Sequence, residues 1–211
     1  MPRLHAELAT TVNSHLAAVP PAQIRAFDEE ISAVPGLVKL TLGEPDFAVP
    51  DHVKKAAIES IQNDDSHYSP SKGKIELRKA ISKYLEQSRH VYYDPETEIV
   101  VTIGATEAVT ATTFAMLNPG DKVIIPTPAF SLYFPSVSLT GAEPIKVNTA
   151  DDGFLLSAER LEEVLAKEGS AVKAVLLNYP NNPTGRSYTE EELKALAKVI
   201  KDHHIYAIVD E

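Results

Sequence analysis

From Asp51 onward the chain switches between two hydrophobic periods. The stretch "DHVKKAAIESIQND" (51–64) spaces Val53, Ala56, Ala57 and Ile61 three and four residues apart, and "KIELRKAISKYLEQS" (74–88) repeats the spacing. Both patterns predict amphipathic helices. Short runs rich in Val and Ile then alternate with helical patterns. "EIVVTI" (98–103) leads into "ATEAVTATTFAML", "KVIIP" (122–126) into "FSLYFPSVSLTG", and "EPIKV" (143–147) into "LSAERLEEVLAKE". "AVKAVLLN" (171–178) precedes "TEEELKALAKVIKDHH", and "IYAIVD" (205–210) follows.

Near-continuous apolar strands separated by amphipathic helices predict an α/β fold. The expected form is a three-layer αβα arrangement in which a mostly parallel sheet is covered on both faces and joined by right-handed crossovers. Residues 1–50 lack this regularity. Proline punctuates them, and the one short amphipathic piece, "PPAQIRAFDEEISAV" (20–34), has too little chain around it to bury its own apolar side. We therefore expect an irregular amino-terminal arm over 1–50 and an incomplete ligand-binding domain over 51–211.

Composition narrows the partners. The 211 residues carry a formal charge of −10, and Lys and Arg form no long runs, so nucleic acid and anionic membranes find no basic surface to release counterions against. There are no cysteines, which excludes disulfides, thiol nucleophiles and thiolate metal sites within this sequence. "MPRLHAELATTVNSHL" lacks the apolar core of a signal peptide, and no apolar run reaches the roughly 18 residues of a membrane span. A cytoplasmic location is expected. The seven histidines show no metal-ligand spacing, and "DHH" (202–204) reads as the end of a solvated helix.

In open parallel sheets ligands bind beyond the carboxyl ends of the strands, so those ends carry the candidate chemistry. After "EIVVTI" comes "GATEA" (104–108), a glycine turn opening a helix. Its first amides would suit a phosphate, with the Thr106 hydroxyl as a further donor, or would make an ordinary helix start. After "AVKAVLLN" comes "NYPNNPTG" (178–185), prolines and a glycine packed around asparagines. After "IYAIV" stands Asp210, an acid at the mouth of an apolar strand, which reads either as chemistry or as a turn former. Phe130 and Tyr133 offer aromatic faces that could stack on a ligand or simply pack in the core.

The order "LGEPDF" (42–47), "YSPSKGKIELRKAI" (68–81), "GATEA", "PTPAFSLY" (126–133), "NYPNNPTG" and "IVDE" (208–211) resembles the class I and II aminotransferases of pyridoxal phosphate fold type I, from about Leu42 onward. The resemblance implies pyridoxal 5'-phosphate as cofactor, amino acid and 2-oxoacid substrates, and a homodimer. It implies that Asn182 donates to the phenolic oxygen of the cofactor ring and that Asp210 pairs with the pyridine nitrogen. Gly104, Ala105 and Thr106 are implied to cradle the phosphate, and Phe130 to stack on the ring with Tyr133 one helical turn away. Tyr68 is implied to reach the phosphate in the neighbouring subunit. Gly43 and Asn182 are implied on the substrate side, Gly43 through its backbone.

The sequence also departs from the family. The lysine that the family joins covalently to the cofactor lies well beyond the acid matched by Asp210, and the arginine that grips the substrate carboxylate lies further still. Lys72 and Lys122 have no matching context. The expectation is the amino-terminal part of a longer transaminase acting on aromatic or general amino acids. A β-lyase acting on cysteine conjugates, or a non-catalytic cofactor-binding module, would share the same motifs.

Overall fold

The computed structural model describes residues 16, 19 and 23–211. Apart from Leu16 and Val19, the part of the expected arm before Gln23 lies outside the described residues. Among the described residues from Gln23 onward the chain divides into two compact units, Gln23–Ile103 and Gly104–Glu211.

The first unit carries α1 (Gln23–Ile31), α2 (Asp51–Gln62) and α3 (Ile75–Arg89). Helices α2 and α3 were legible from apolar spacing, to within a residue or two at their ends, and α1 lies inside the amphipathic piece 20–34 of the expected irregular arm. The segment 98–103 is a correction: it is not a strand of the sheet. A β-strand exists only through a ladder with a neighbour, and here the Val101 N–H donates instead to the Lys72 carbonyl at 3.0 Å. Arg78, almost wholly buried, fastens the same region by donating to the Gly73 carbonyl at 3.2 Å and to the Pro95 carbonyl at 2.5 Å.

The second unit contains α4 (Gly104–Met116), β1 (Lys122–Thr127), α5 (Tyr133–Ser138), β2 (Glu143–Asn148), α6 (Ala158–Glu168), β3 (Val172–Asn178), α7 (Glu190–Asp202) and β4 (Tyr206–Asp210). The strands pair in parallel in the order β2-β1-β3-β4. Helix α5 is shorter than the predicted 130–141 stretch. Helix α6 starts where the Ser157 hydroxyl accepts from the Arg160 N–H at 3.1 Å. Helix α7 starts on a reciprocal capping box: the Thr189 N–H donates to Glu192 Oε2 at 2.7 Å, and Thr189 Oγ1 accepts from the Glu192 N–H at 3.3 Å.

Alternation along the strands builds two cores. Ile124, Val147, Val175 and Leu177 face Leu161, Val164 and Leu165 of α6 and Leu196 and Val199 of α7. Val123, Ile125, Ala174, Leu176 and Ile208 face Val109 of α4 and Tyr133 and Val137 of α5. The three-layer parallel arrangement is therefore present, and it explains why β1 and β3 read as unbroken apolar runs: both of their faces are covered. At the strand starts Lys122 Nζ pairs with Glu168 Oε2 at 2.8 Å, with both side chains largely shielded.

Leu176 lies in the middle of β3 with 1% of its surface exposed. Leu176→Ala is expected to lower unfolding stability in urea by about 2–5 kcal/mol, whereas Leu40→Ala, at an exposed position of the first unit, stays within about 0.5 kcal/mol.

Candidate active site

Register decides what gathers beyond the carboxyl ends of the strands. In the β3–β4 pair Asn178 lies opposite Asp210. Counting back by two, Leu176 and Ile208 both point into the core built with α5, so Asn178 and Asp210 point to that same side at the strand mouths. Tyr133, the first residue of α5, fills this core with only 1% of its surface exposed. Its hydroxyl donates to Asp210 Oδ2 at 2.6 Å. A buried phenol needs a partner for its O–H, and a half-buried carboxylate needs donors, so each satisfies the other. Burial, then the hydrogen bond and charge of Asp210, push the Tyr133 phenol well above its ordinary pKa. Phe130 stacks edge to face on Tyr133, with ring centroids 5.7 Å apart and planes at 83°.

The asparagines of "NYPNNPTG" divide their tasks. Asn178 Nδ2 donates to the Asp210 carbonyl at 2.9 Å, and its Oδ1 accepts from the Asn182 N–H at 2.6 Å. Asn178 therefore ties the loop to the end of β4. Asn181 shapes the loop itself: Oδ1 accepts from the Thr184 hydroxyl at 2.8 Å, Nδ2 donates to the Pro128 carbonyl at 3.3 Å, and the backbone carbonyl accepts from Gly185 at 2.7 Å. Asn182 is held through its backbone and exposes its side chain, whose amide takes no hydrogen-bond partner among the described residues. Tyr179 and Tyr188 brace the loop, ring centroids 5.5 Å apart, and the Tyr188 oxygen accepts from the Leu156 N–H at 3.1 Å.

Gly104, Ala105 and Thr106 form the first turn of α4. Gly104 has φ +77°, in the left-handed region where a side chain would be strained, so the turn itself requires glycine. Thr110 ties α4 to α5, its hydroxyl 3.4 Å from Ser136 Oγ. Tyr68 and Gly43 belong to the first unit, where both are exposed.

The structure thus joins Asp210, Tyr133, Phe130 and, through Asn178, Asn182 into one connected cluster. Two members were missed or misread in the sequence. Asn178 stands in the sequence only as a polar residue closing an apolar strand run, which was the available signal for its anchoring role. Tyr133 had been read as a stacking or core aromatic, whereas it is the hydrogen-bond partner of Asp210. A small cavity of about 10 Å³, lined in part by Tyr133, Asn178, Asn181 and Tyr188, sits beneath this end of the sheet. A larger hollow of about 670 Å³ opens at the strand starts beside Lys173, His203 and Tyr206. It lies at the wrong end of a parallel sheet for ligand chemistry.

The electrostatics give a direct test. Tyr133 and Tyr188 are both pushed above the ordinary tyrosine pKa, in each case chiefly by burial. In an alkaline titration followed by tyrosinate absorbance, both are expected to ionise after the exposed tyrosines, and Asp210→Asn is expected to lower the midpoint of Tyr133 while leaving Tyr188 in place. For linkage the sign is fixed: a phenol with a raised folded-state pKa contributes its stability below about pH 10 and loses it as pH rises beyond that.

The profile of "Aminotransferase class I and II" matches residues 35–211. The chain is 39% identical over 188 residues to a Bacillus subtilis protein named "Probable N-acetyl-LL-diaminopimelate aminotransferase", covering 89% of this chain and 47% of that protein. It is 32% identical over 201 residues to "Aromatic-amino-acid aminotransferase 2" of Thermococcus litoralis, covering 95% of this chain and 51% of that one. Among solved structures, it superposes on an aspartate aminotransferase from Thermotoga maritima with a TM-score of 0.87 at 33% identity, covering 95% of this chain and 54% of the other. The chain spans about half the length of the relatives it matches. With the matched profile, the parallel sheet and the motifs at its strand ends all in agreement, the chain belongs to the class I and II aminotransferases, whose cofactor is pyridoxal phosphate.

Proposed function

We propose that these residues form the amino-terminal part of a pyridoxal-phosphate-dependent aminotransferase that moves an amino group from an amino acid, aromatic or general in type, to a 2-oxoacid. The observation that carries the reading is Asp210 at the end of β4, half-buried and held by the Tyr133 hydroxyl at 2.6 Å. The donor set fits the cofactor. A carboxylate suits a protonated ring nitrogen, the exposed Asn182 amide suits a phenolate oxygen, and the first turn of α4 suits a phosphate.

When bound, pyridoxal phosphate supplies the electron sink that stabilises a carbanion at the substrate α-carbon. The residues of this chain prepare for that chemistry. The Asp210 carboxylate holds the proton on the ring nitrogen by charge and hydrogen bonding. Tyr133 fixes the carboxylate so that it need not reorient, and Asn178 anchors the loop that presents Asn182. Phe130, partly exposed and braced on Tyr133, offers a ring face for stacking. Tyr133 is too buried to touch substrate, so a preference for aromatic side chains must rest on other groups. Gly43 lies on the substrate side, and Tyr68, fully exposed, reaches the phosphate site of a second subunit in a homodimer. The arm over 1–50 packs across that dimer, and 51–211 contributes to the cofactor-binding domain. No helix among the described residues is long and apolar enough to cross a membrane, and we place the enzyme in the cytoplasm.

In the complete enzyme, Asp210→Asn is expected to keep the fold and most of the bound cofactor while lowering turnover by about a hundredfold or more, because the amide is nearly isosteric but cannot balance a positive ring nitrogen. Turnover is measured with a panel of amino donors and 2-oxoacids. Near wild-type rates in the variant would reduce Asp210 to a structural cap. The 211 residues alone, which contain no lysine in the family's cofactor-linking context, are expected to show no transamination. Borohydride treatment with pyridoxal phosphate should label no single lysine uniquely, and unique labelling together with turnover would refute this.

A further inference from the structure

The segment from Leu37 to Leu42, "LVKLTL", has an inverted pattern. Its apolar positions Val38 and Leu40 are 81% and 92% exposed, while the polar side chains between and after them turn inward to α1. One carboxylate holds the polar side chains. Asp28, on the last turn of α1, uses both of its oxygens: Oδ2 accepts from the Lys39 ammonium at 3.0 Å, and Oδ1 accepts from the Thr41 hydroxyl. The same Lys39 ammonium donates to Ser32 Oγ at 3.0 Å, and the Ser32 hydroxyl donates to the Asp28 carbonyl at 2.5 Å. The Asp28 side chain keeps 13% of its surface, low for an acid in a segment whose neighbours are mostly open to solvent. The Thr41 hydroxyl, followed by Lys39, holds the Asp28 carboxyl below the usual carboxylate range.

A clamp on residues 39 and 41 fixes the segment in place. Over 37–40 the side chains alternate, and Thr41 and Leu42 then form a bend, so the two tethers hold the chain immediately before it turns. The backbone of Gly43 follows directly from the tethered Thr41, with only Leu42 between them.

We propose that Asp28 is a positioning residue for substrate: by holding Thr41 and Lys39 it sets the location of the backbone at Gly43, against which the substrate carboxylate of the proposed reaction rests. The inference depends on the aminotransferase reading and on Gly43 lying at the substrate, and it assigns no contact between Asp28 and substrate. Losing the clamp leaves Gly43 able to wander, which weakens ground-state and transition-state binding alike. A uniform loss of this kind raises KM and spares kcat.

The test uses the complete enzyme. Half-reactions with an amino donor are followed by the cofactor's absorbance change in wild type, Asp28→Ala, Thr41→Val and Thr41→Ser. The expected result is a KM for the donor raised about tenfold in Asp28→Ala and Thr41→Val, with kcat and the cofactor dissociation constant within about twofold of wild type. Thr41→Ser, which restores the hydroxyl, should return KM to near the wild-type value. An unchanged KM in Thr41→Val overturns the inference, and so does a Thr41→Ser variant as impaired as Thr41→Val. If Asp28→Ala does not fold, the two Thr41 variants decide alone, because Thr41 is partly exposed and its change removes a single donor. A wild-type enzyme that converts no amino donor would overturn the functional reading itself, and this outcome is distinguishable because it does not depend on the variants.

Discussion

The hydrogen bond from Tyr133 to Asp210 is the constraint on which the rest of the candidate site depends. An ionised carboxylate at the edge of an apolar core is unfavourable unless donors compensate it, and a buried phenol is unfavourable unless its O–H is used. Each removes the other's penalty, and both do so at one location because the parallel register sets Asp210 beside Asn178. Shifting β4 by one residue would send the carboxylate to the opposite face, towards the core built by α6 and α7, and away from the Tyr133 hydroxyl. The site therefore inherits its geometry from the sheet, and the sheet's register is fixed in turn by the alternating apolar residues of β1 and β3.

The Asn-rich loop extends this constraint outward. Its backbone and two of its three asparagines are consumed in holding shape, Asn178 against the end of β4 and Asn181 across the loop to the Pro128 carbonyl. Only Asn182 carries its side chain into the open. A loop with unspent donors throughout would be mobile and unselective. One whose polar groups are satisfied except at a single position presents that position without needing to order it again when a ligand arrives.

The layers of the fold and the order of its motifs were readable from sequence because both are local: apolar runs of a given period and residues at strand ends. What escaped was non-local. The segment 98–103 has the composition of a strand, but strands are made by their neighbours, and composition cannot say whether one is present. Tyr133 could not be distinguished from a core or stacking aromatic, because its partner lies 77 positions away. The Asp28 clamp spans 11 and 13 positions through a region that reads as irregular, and an acid on a short helix carries no sign of what it will hold. Asn178 and Asn182 are chemically alike, and only the register separates the one that fastens from the one that is presented.

Two glycines at the motifs show how the structure separates an internal demand from an external one. At Gly104 the backbone takes φ +77°, so glycine is required by the turn into α4 whether or not a ligand exists. At Gly43 the φ lies outside the left-handed region, and a Cβ built there would meet nothing within 4 Å. The unit that contains Gly43 places no demand for glycine on it: a side chain would fit, and the backbone would accept one without strain. Nothing within the described unit therefore accounts for glycine at this position. In the proposed reading a substrate carboxylate rests on this backbone, where a methyl would interfere, and the Asp28 tether two residues earlier is the kind of support that such a contact needs.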